Sequence, residues 1–143
     1  MAQRSIKKED PNKVYRRVMS ADTLSGDRVR NPQGEDLGKI QDIMIDVPTG
    51  RVAYAVLSFG GVLGLGDKLF AIPWGSLTLD EDEKCFVLDA DKELLKAAPG
   101  FDKDNWPDMA DPNWRTQIYS YYGAKPYWDE REEERTFRGG GGM

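Results

Sequence analysis

Two carboxylates, Asp42 and Asp46, stand four residues apart in a run of alternating side chains. Paired carboxylates are the least equipment that general acid–base chemistry needs. On an extended strand, however, their Cα atoms would lie ~13 Å apart at ~3.3 Å per residue, wider than cooperating pairs usually sit. That spacing predicts a solvated strand face. The single thiol, Cys85, falls inside the apolar run Cys85-Phe86-Val87-Leu88 and reads as a small core residue rather than a nucleophile. One cysteine excludes an intrachain disulfide and fits a reducing compartment. The chain has no histidine, which excludes histidine-activated nucleophiles, histidine metal ligands and a histidine pH switch. The acidic quartet Asp80-Glu81-Asp82-Glu83 lacks the spacing of a calcium loop and reads as an exposed turn.

The glycine-rich stretch Phe59–Lys68 invites a phosphate-loop reading, which its residues reject. Gly61 and Gly66 have the right separation, but Asp67 occupies the lysine position and would repel a phosphate. The dinucleotide pattern fails as well, because Leu69 stands where the last glycine should be. The glycines fit better as a tight bend. Val62, Leu63 and Leu65 then form an apolar tip, either packed on the core or serving as a contact loop. No residue is assigned a catalytic, cofactor-binding or metal-binding role.

The elements that position these residues are mostly strands. Lys39–Val47 and Arg51–Phe59 alternate on either side of the turn Pro48-Thr49-Gly50. Ile43, Ile45 and Val47 share one face, with Asp42, Met44 and Asp46 on the other. Arg51–Phe59 is apolar on both faces, as a strand buried on two sides would be. One side should face a barrel interior, and the other should lie under a helix, a tail or a second subunit. Arg28-Val29-Arg30, Lys68–Trp74, Leu77-Thr78-Leu79 and Lys84–Leu88 complete a series of short strands, with Asn31-Pro32-Gln33-Gly34 as a turn. The pattern predicts a mainly β fold, a small antiparallel barrel with short C-terminal helices, one end plugged by Leu24. Asp91 caps a helix over Lys92–Ala98 that Pro99-Gly100 stops. A second helix starts at Asp111-Pro112 and ends at Gly123, with Trp114, Ile118 and Tyr121 or Tyr122 on one face. Trp106, Trp114, Tyr121 and Tyr122 are the candidate interface, on the barrel or on a twin subunit.

The 143 residues suffice for one domain, and the chain divides by composition. Residues 1–18 read as a disordered basic arm, 19–90 as the barrel, 91–128 as a helical, aromatic-rich extension, and 129–143 as a disordered tail. Residues 1–17 carry six basic and two acidic side chains, a net +4, which leaves −9 on the rest of a chain of net charge −5. An acidic body disfavours nucleic acid, and only Arg115 and Lys125 accompany the aromatic helix and its exit, too few for a phosphate track. The basic arm allows peripheral membrane contact. No segment approaches the ~18 apolar residues of a membrane span and no secretory signal is visible, so a cytoplasmic location is expected.

Three ordered pieces carry a family resemblance: Gly34-Glu35-Asp36-Leu37-Gly38-Lys39-Ile40-Gln41-Asp42, then Asp46-Val47-Pro48-Thr49-Gly50-Arg51, then the glycine-rich turn into Phe70-Ala71-Ile72-Pro73-Trp74. Together they resemble the PRC-barrel family over residues ~20–90, about half the chain, and Asp102–Trp128 looks like the C-terminal extension of stand-alone bacterial members. The resemblance implies a small, mostly antiparallel β-barrel without a common catalytic motif. It also implies action through protein or ribonucleoprotein contacts, as in the cytoplasmic part of the photosynthetic reaction-centre H subunit and the C-terminal domain of the ribosome-maturation factor RimM. The expectation is a non-catalytic interaction or assembly module without a cofactor, working as a homodimer. The alternatives are a ribosome- or RNA-associated maturation factor, and a peripheral membrane or photosynthetic-complex adaptor.

Overall fold

The structure, a computed structural model, describes residues 18–60 and 67–128. The basic arm, the charged tail and Val62, Leu63 and Leu65 of the glycine-rich loop lie outside these residues. One helical turn, α1 (Ala21–Leu24), opens the chain, capped by the Ser20 side chain. Six strands follow: β1 (Arg28–Arg30), β2 (Asp36–Asp46), β3 (Arg51–Gly60), β4 (Asp67–Pro73), β5 (Leu77–Asp80) and β6 (Cys85–Leu88). Among the described residues two further helices follow, α2 (Lys92–Lys96) and α3 (Pro112–Tyr122).

The strands form one sheet in the order β4-β3-β2-β1-β6-β5. Its two edges, β4 and β5, are joined by only the three residues of a 3-10 turn, Trp74–Ser76. Six flat strands would hold those edges ~24 Å apart at ~4.8 Å per strand, whereas this link spans at most ~14 Å. The sheet must therefore curl, and it does so as a half-barrel. The expected antiparallel barrel is corrected here to a mixed sheet, because β1 and β6 are parallel. The reason lies in the same link. The chain passes from β4 to β5 without reversing, so the β5–β6 hairpin delivers β6 in the sense of β1.

Within the curl lies an aliphatic core. Val29, Leu37, Ile40, Ala55, Leu57, Phe70, Ile72, Phe86 and Leu88 are buried together, and Leu95 of α2 closes the open side. Leu24 packs at its margin, as expected of a plug. Asn31 ties this core to the β1–β2 turn. Its buried amide donates to the Glu35 carboxylate at 2.7 Å and to the Ala90 carbonyl at 3.3 Å, and accepts from the Glu35 N–H at 2.8 Å. Gly38 sits at φ 110°, and a Cβ there would come within 2.0 Å of the Ser58 carbonyl oxygen. Only glycine lets β2 approach β3 so closely.

Two bulges reset the alternation read from the sequence. Gln41 is an extra residue on β2 and Ala53 an extra residue on β3. Beyond the second bulge, Ile45 and Val47 do not continue the core face expected of them and are 48% and 82% exposed. Asp46, expected in solvent beside Asp42, is instead covered by Tyr127 and accepts a hydrogen bond from its hydroxyl. A bulge re-aims the side chains of the strand that carries it, so the period of two fails on β3 at Ala53, while Ile45 and Val47 keep their alternation at the hairpin end, in water. The same bulge places two consecutive residues of β3, Ala53 and Tyr54, in one cluster on the outer face of the sheet.

Candidate interaction surface

That outer face is where α3 lies. The helix begins because the Asp111 carboxylate accepts the Trp114 N–H at 3.3 Å and Pro112 occupies the first turn; it ends because Gly123 adopts φ 65°. Ile118 and Tyr119 are its buried residues. They pack with Tyr54, Val56, Leu69 and Ala71 of β3 and β4, and with Tyr127 beyond the helix. The apolar second side of β3 is thus covered by the chain's own extension. The Tyr119 hydroxyl donates to the Ala53 carbonyl at 2.8 Å. Ala53 is the bulge residue, outside the regular ladder pairing, and the tyrosine supplies its carbonyl with a partner.

Rings meet mostly edge to face. Tyr54 lies 5.2 Å from Trp114 and 5.6 Å from Tyr119, and Tyr119 lies 4.8 Å from Trp128. The Arg115 guanidinium stacks over Trp128 at 4.3 Å, and Arg51 stands 5.7 Å from the Tyr127 ring. The edge of β4 is covered in part by Phe101, which exchanges two backbone hydrogen bonds with Leu69 at 2.8 and 2.9 Å.

The candidate interface residues separate on this frame. Trp114 and Tyr122 both join the outer cluster. Tyr121 turns toward α2, where its hydroxyl donates to the Leu94 carbonyl at 2.5 Å. Tyr121 and Tyr122 also line a hollow of about 670 Å³ between the end of α3 and α2. Trp106 stands apart from the helix: it is 39% exposed, its ring lies 5.1 Å from Phe101, and its indole N–H donates to the Lys103 carbonyl.

Sequence reasoning missed the residues around the β2–β3 hairpin. A groove of about 570 Å³ runs between the hairpin and the approach to α3, lined by Met44, Ile45, Asp46, Val47, Pro48, Thr49, Ala53, Tyr54, Met109, Ala110, Arg115 and Tyr127. Among the described residues the Tyr54 hydroxyl and Arg115 Nε are buried without a hydrogen-bond partner. Burial pushes the Tyr54 phenol above the ordinary tyrosine range. Tyr127 is pushed up to about 12, first by burial and then by its hydrogen bond to the Asp46 carboxylate. The available signal was Tyr54 itself, a tyrosine in the middle of a strand with no aqueous face for its hydroxyl. Among the described residues no group of three acidic or cysteine side chains is gathered to hold a metal, and no helix is long and apolar enough to cross a membrane.

The family model for the PRC-barrel domain matches residues 16–95. No curated protein matches the chain. Among solved structures, a Pseudomonas aeruginosa protein described as a 16S ribosomal RNA processing protein RimM aligns with a TM-score of 0.37 and 20% identity. The alignment covers 61% of this chain and 49% of that one, so the matched part spans about half of that protein's length. With more than half of its length matched by the family model, the chain belongs to the PRC-barrel family.

Proposed function

We propose that this chain is a non-catalytic interaction and assembly module that works in the cytoplasm and pairs with a second copy of itself through the β2–β3 hairpin. One observation carries the reading: the hairpin tip holds Ile45 and Val47 in water, the latter 82% exposed. Pro48 beside them is exposed too. Hydrophobic surface gains about 25 cal/mol per Å² when covered, and a contiguous apolar tip beside a groove is a common form of contact surface. The outer face of β3 already has its cover in α3, whereas the tip stays open to water. The exposed Trp106 and the glycine-loop residues Val62, Leu63 and Leu65 are further contact candidates within this reading.

Sedimentation equilibrium of the full chain and of Val47→Asp tests it. The expected outcome is a dimer at micromolar concentration that the substitution weakens at least tenfold, with the circular dichroism spectrum of the fold unchanged because Val47 touches no core. A monomer at every concentration would remove the dimer. A ribosome-associated role makes a different forecast: salt-sensitive co-sedimentation with ribosomes that Val47→Asp leaves intact.

A further inference from the structure

The groove behind that hairpin has a chemical asymmetry that self-association does not use. Its walls are apolar, and two of them are methionines, Met44 and Met109, whose unbranched side chains re-pack around different shapes. Its polar groups with unused capacity are donors. The Tyr54 hydroxyl is fully buried and unpartnered, and so is Arg115 Nε. The guanidinium is fixed in plane by its stack on Trp128. The acceptors in the same groove are already engaged. Tyr127 donates to the Asp46 carboxylate, and the Thr49 hydroxyl is tied within its own turn to the Asp46 carbonyl and the Arg51 N–H.

An unmatched buried donor is unfavourable, and an incoming acceptor relieves it. Among the described residues lining the groove, Arg115 is the single cation and Asp46 the single anion. Their charges cancel, so what favours an anion is the pair of unpartnered donors, and a second negative charge would meet only repulsion from Asp46. The volume of about 570 Å³ lies within the ~300–1,000 Å³ typical of small-molecule sites. We propose that this groove binds a small amphipathic monocarboxylate, its apolar body between Met44 and Met109 and its carboxylate on Arg115 and Tyr54.

The test uses the full chain with methyl-labelled methionine and three probes: decanoate, decanol and acetate. Decanoate should bind saturably and shift the Met44 and Met109 methyl resonances. Decanol, which keeps the body without the charge, should bind at least tenfold more weakly, and acetate should not bind. Arg115→Gln should lower decanoate affinity at least tenfold and leave decanol unchanged. Tyr54→Phe, which keeps the ring packing and removes only an unpartnered hydroxyl, should weaken decanoate about threefold or more. Ala110→Trp, placed at the exposed rim, should block decanoate and decanol alike. Equal affinity for decanoate and decanol, methyl shifts confined to other methionines, or decanoate binding undiminished in Ala110→Trp would each overturn the proposal. None of these outcomes decides whether the hairpin tip dimerises, which Val47→Asp settles by sedimentation.

Discussion

The two faces of the curled sheet are built from different material. Inside, Leu37, Ile40, Leu57, Ile72 and the other fully buried members of the cluster carry aliphatic or phenyl side chains, and Leu95 of α2 packs with them. Outside, Tyr54, Tyr119, Tyr127, Trp114 and Trp128 bring hydroxyls and ring N–H groups with their bulk. An aliphatic core asks only for volume to be filled. An aromatic layer must also find a partner for each polar tip, and here some tips find one and others do not. The inner face therefore determines that the chain folds. The outer face determines how the extension is seated, and its loose polar ends are where binding can be added.

Substitutions can break or sharpen this contrast. Leu57→Ala in the inner core should cost about 2–5 kcal/mol and lower the midpoint of chemical denaturation for the whole domain. A loss confined to the α3 signal would refute the ranking of the two faces.

Alkaline pH should act on the outer face. Tyr127 has its folded pKa raised to about 12, and burial moves Tyr54 and Tyr122 in the same direction. A raised folded pKa means that the folded chain holds the proton longer. The associated stability is then fully present below the ordinary tyrosine value of ~10 and is lost as pH climbs through the folded value. Denaturation midpoints should fall between pH ~10 and ~12, with tyrosinate absorbance rising in step; a flat midpoint across that window would contradict the assignment.

Two tyrosines give the finest comparison. Tyr119→Phe removes the partner of the bulge carbonyl and should cost about 1–3 kcal/mol. Tyr54→Phe removes a hydroxyl that has no partner and should be neutral or more stable by about 1 kcal/mol. If both variants lose the same stability, the distinction between satisfied and unsatisfied tips on this face fails.

Much of this architecture is legible in the sequence, because it depends on local chemistry. Asp111, Pro112 and Gly123 bracket α3 as their types require, Asp91 caps α2 through the Leu94 N–H, and β3 reads as buried on both faces. What is not legible depends on partners distant in the chain. The extra residues Gln41 and Ala53 exist only relative to the strand opposite, so Ile45 and Val47 cannot be placed from β2 alone. The parallel pairing of β1 and β6 follows from how β4 runs into β5. Asn31 has the composition of a turn residue, yet its amide reaches Ala90 across 59 positions of sequence. The groove escapes for the same reason, since Arg115, Met109 and Tyr54 meet only after α3 has docked.

The short link Trp74–Ser76 has a mechanical consequence. It works like a bowstring, holding the two rims of the bent sheet to a fixed span. A sheet usually fails by peeling from an edge strand, but here neither edge can leave without dragging the other through the tether. Fraying of β4 at its C-terminal end is therefore coupled to fraying of β5 at its start. Inserting several glycines after Ser76 would slacken the string and let the edges fray separately, seen as hydrogen exchange at β4 and β5 far faster than at β2.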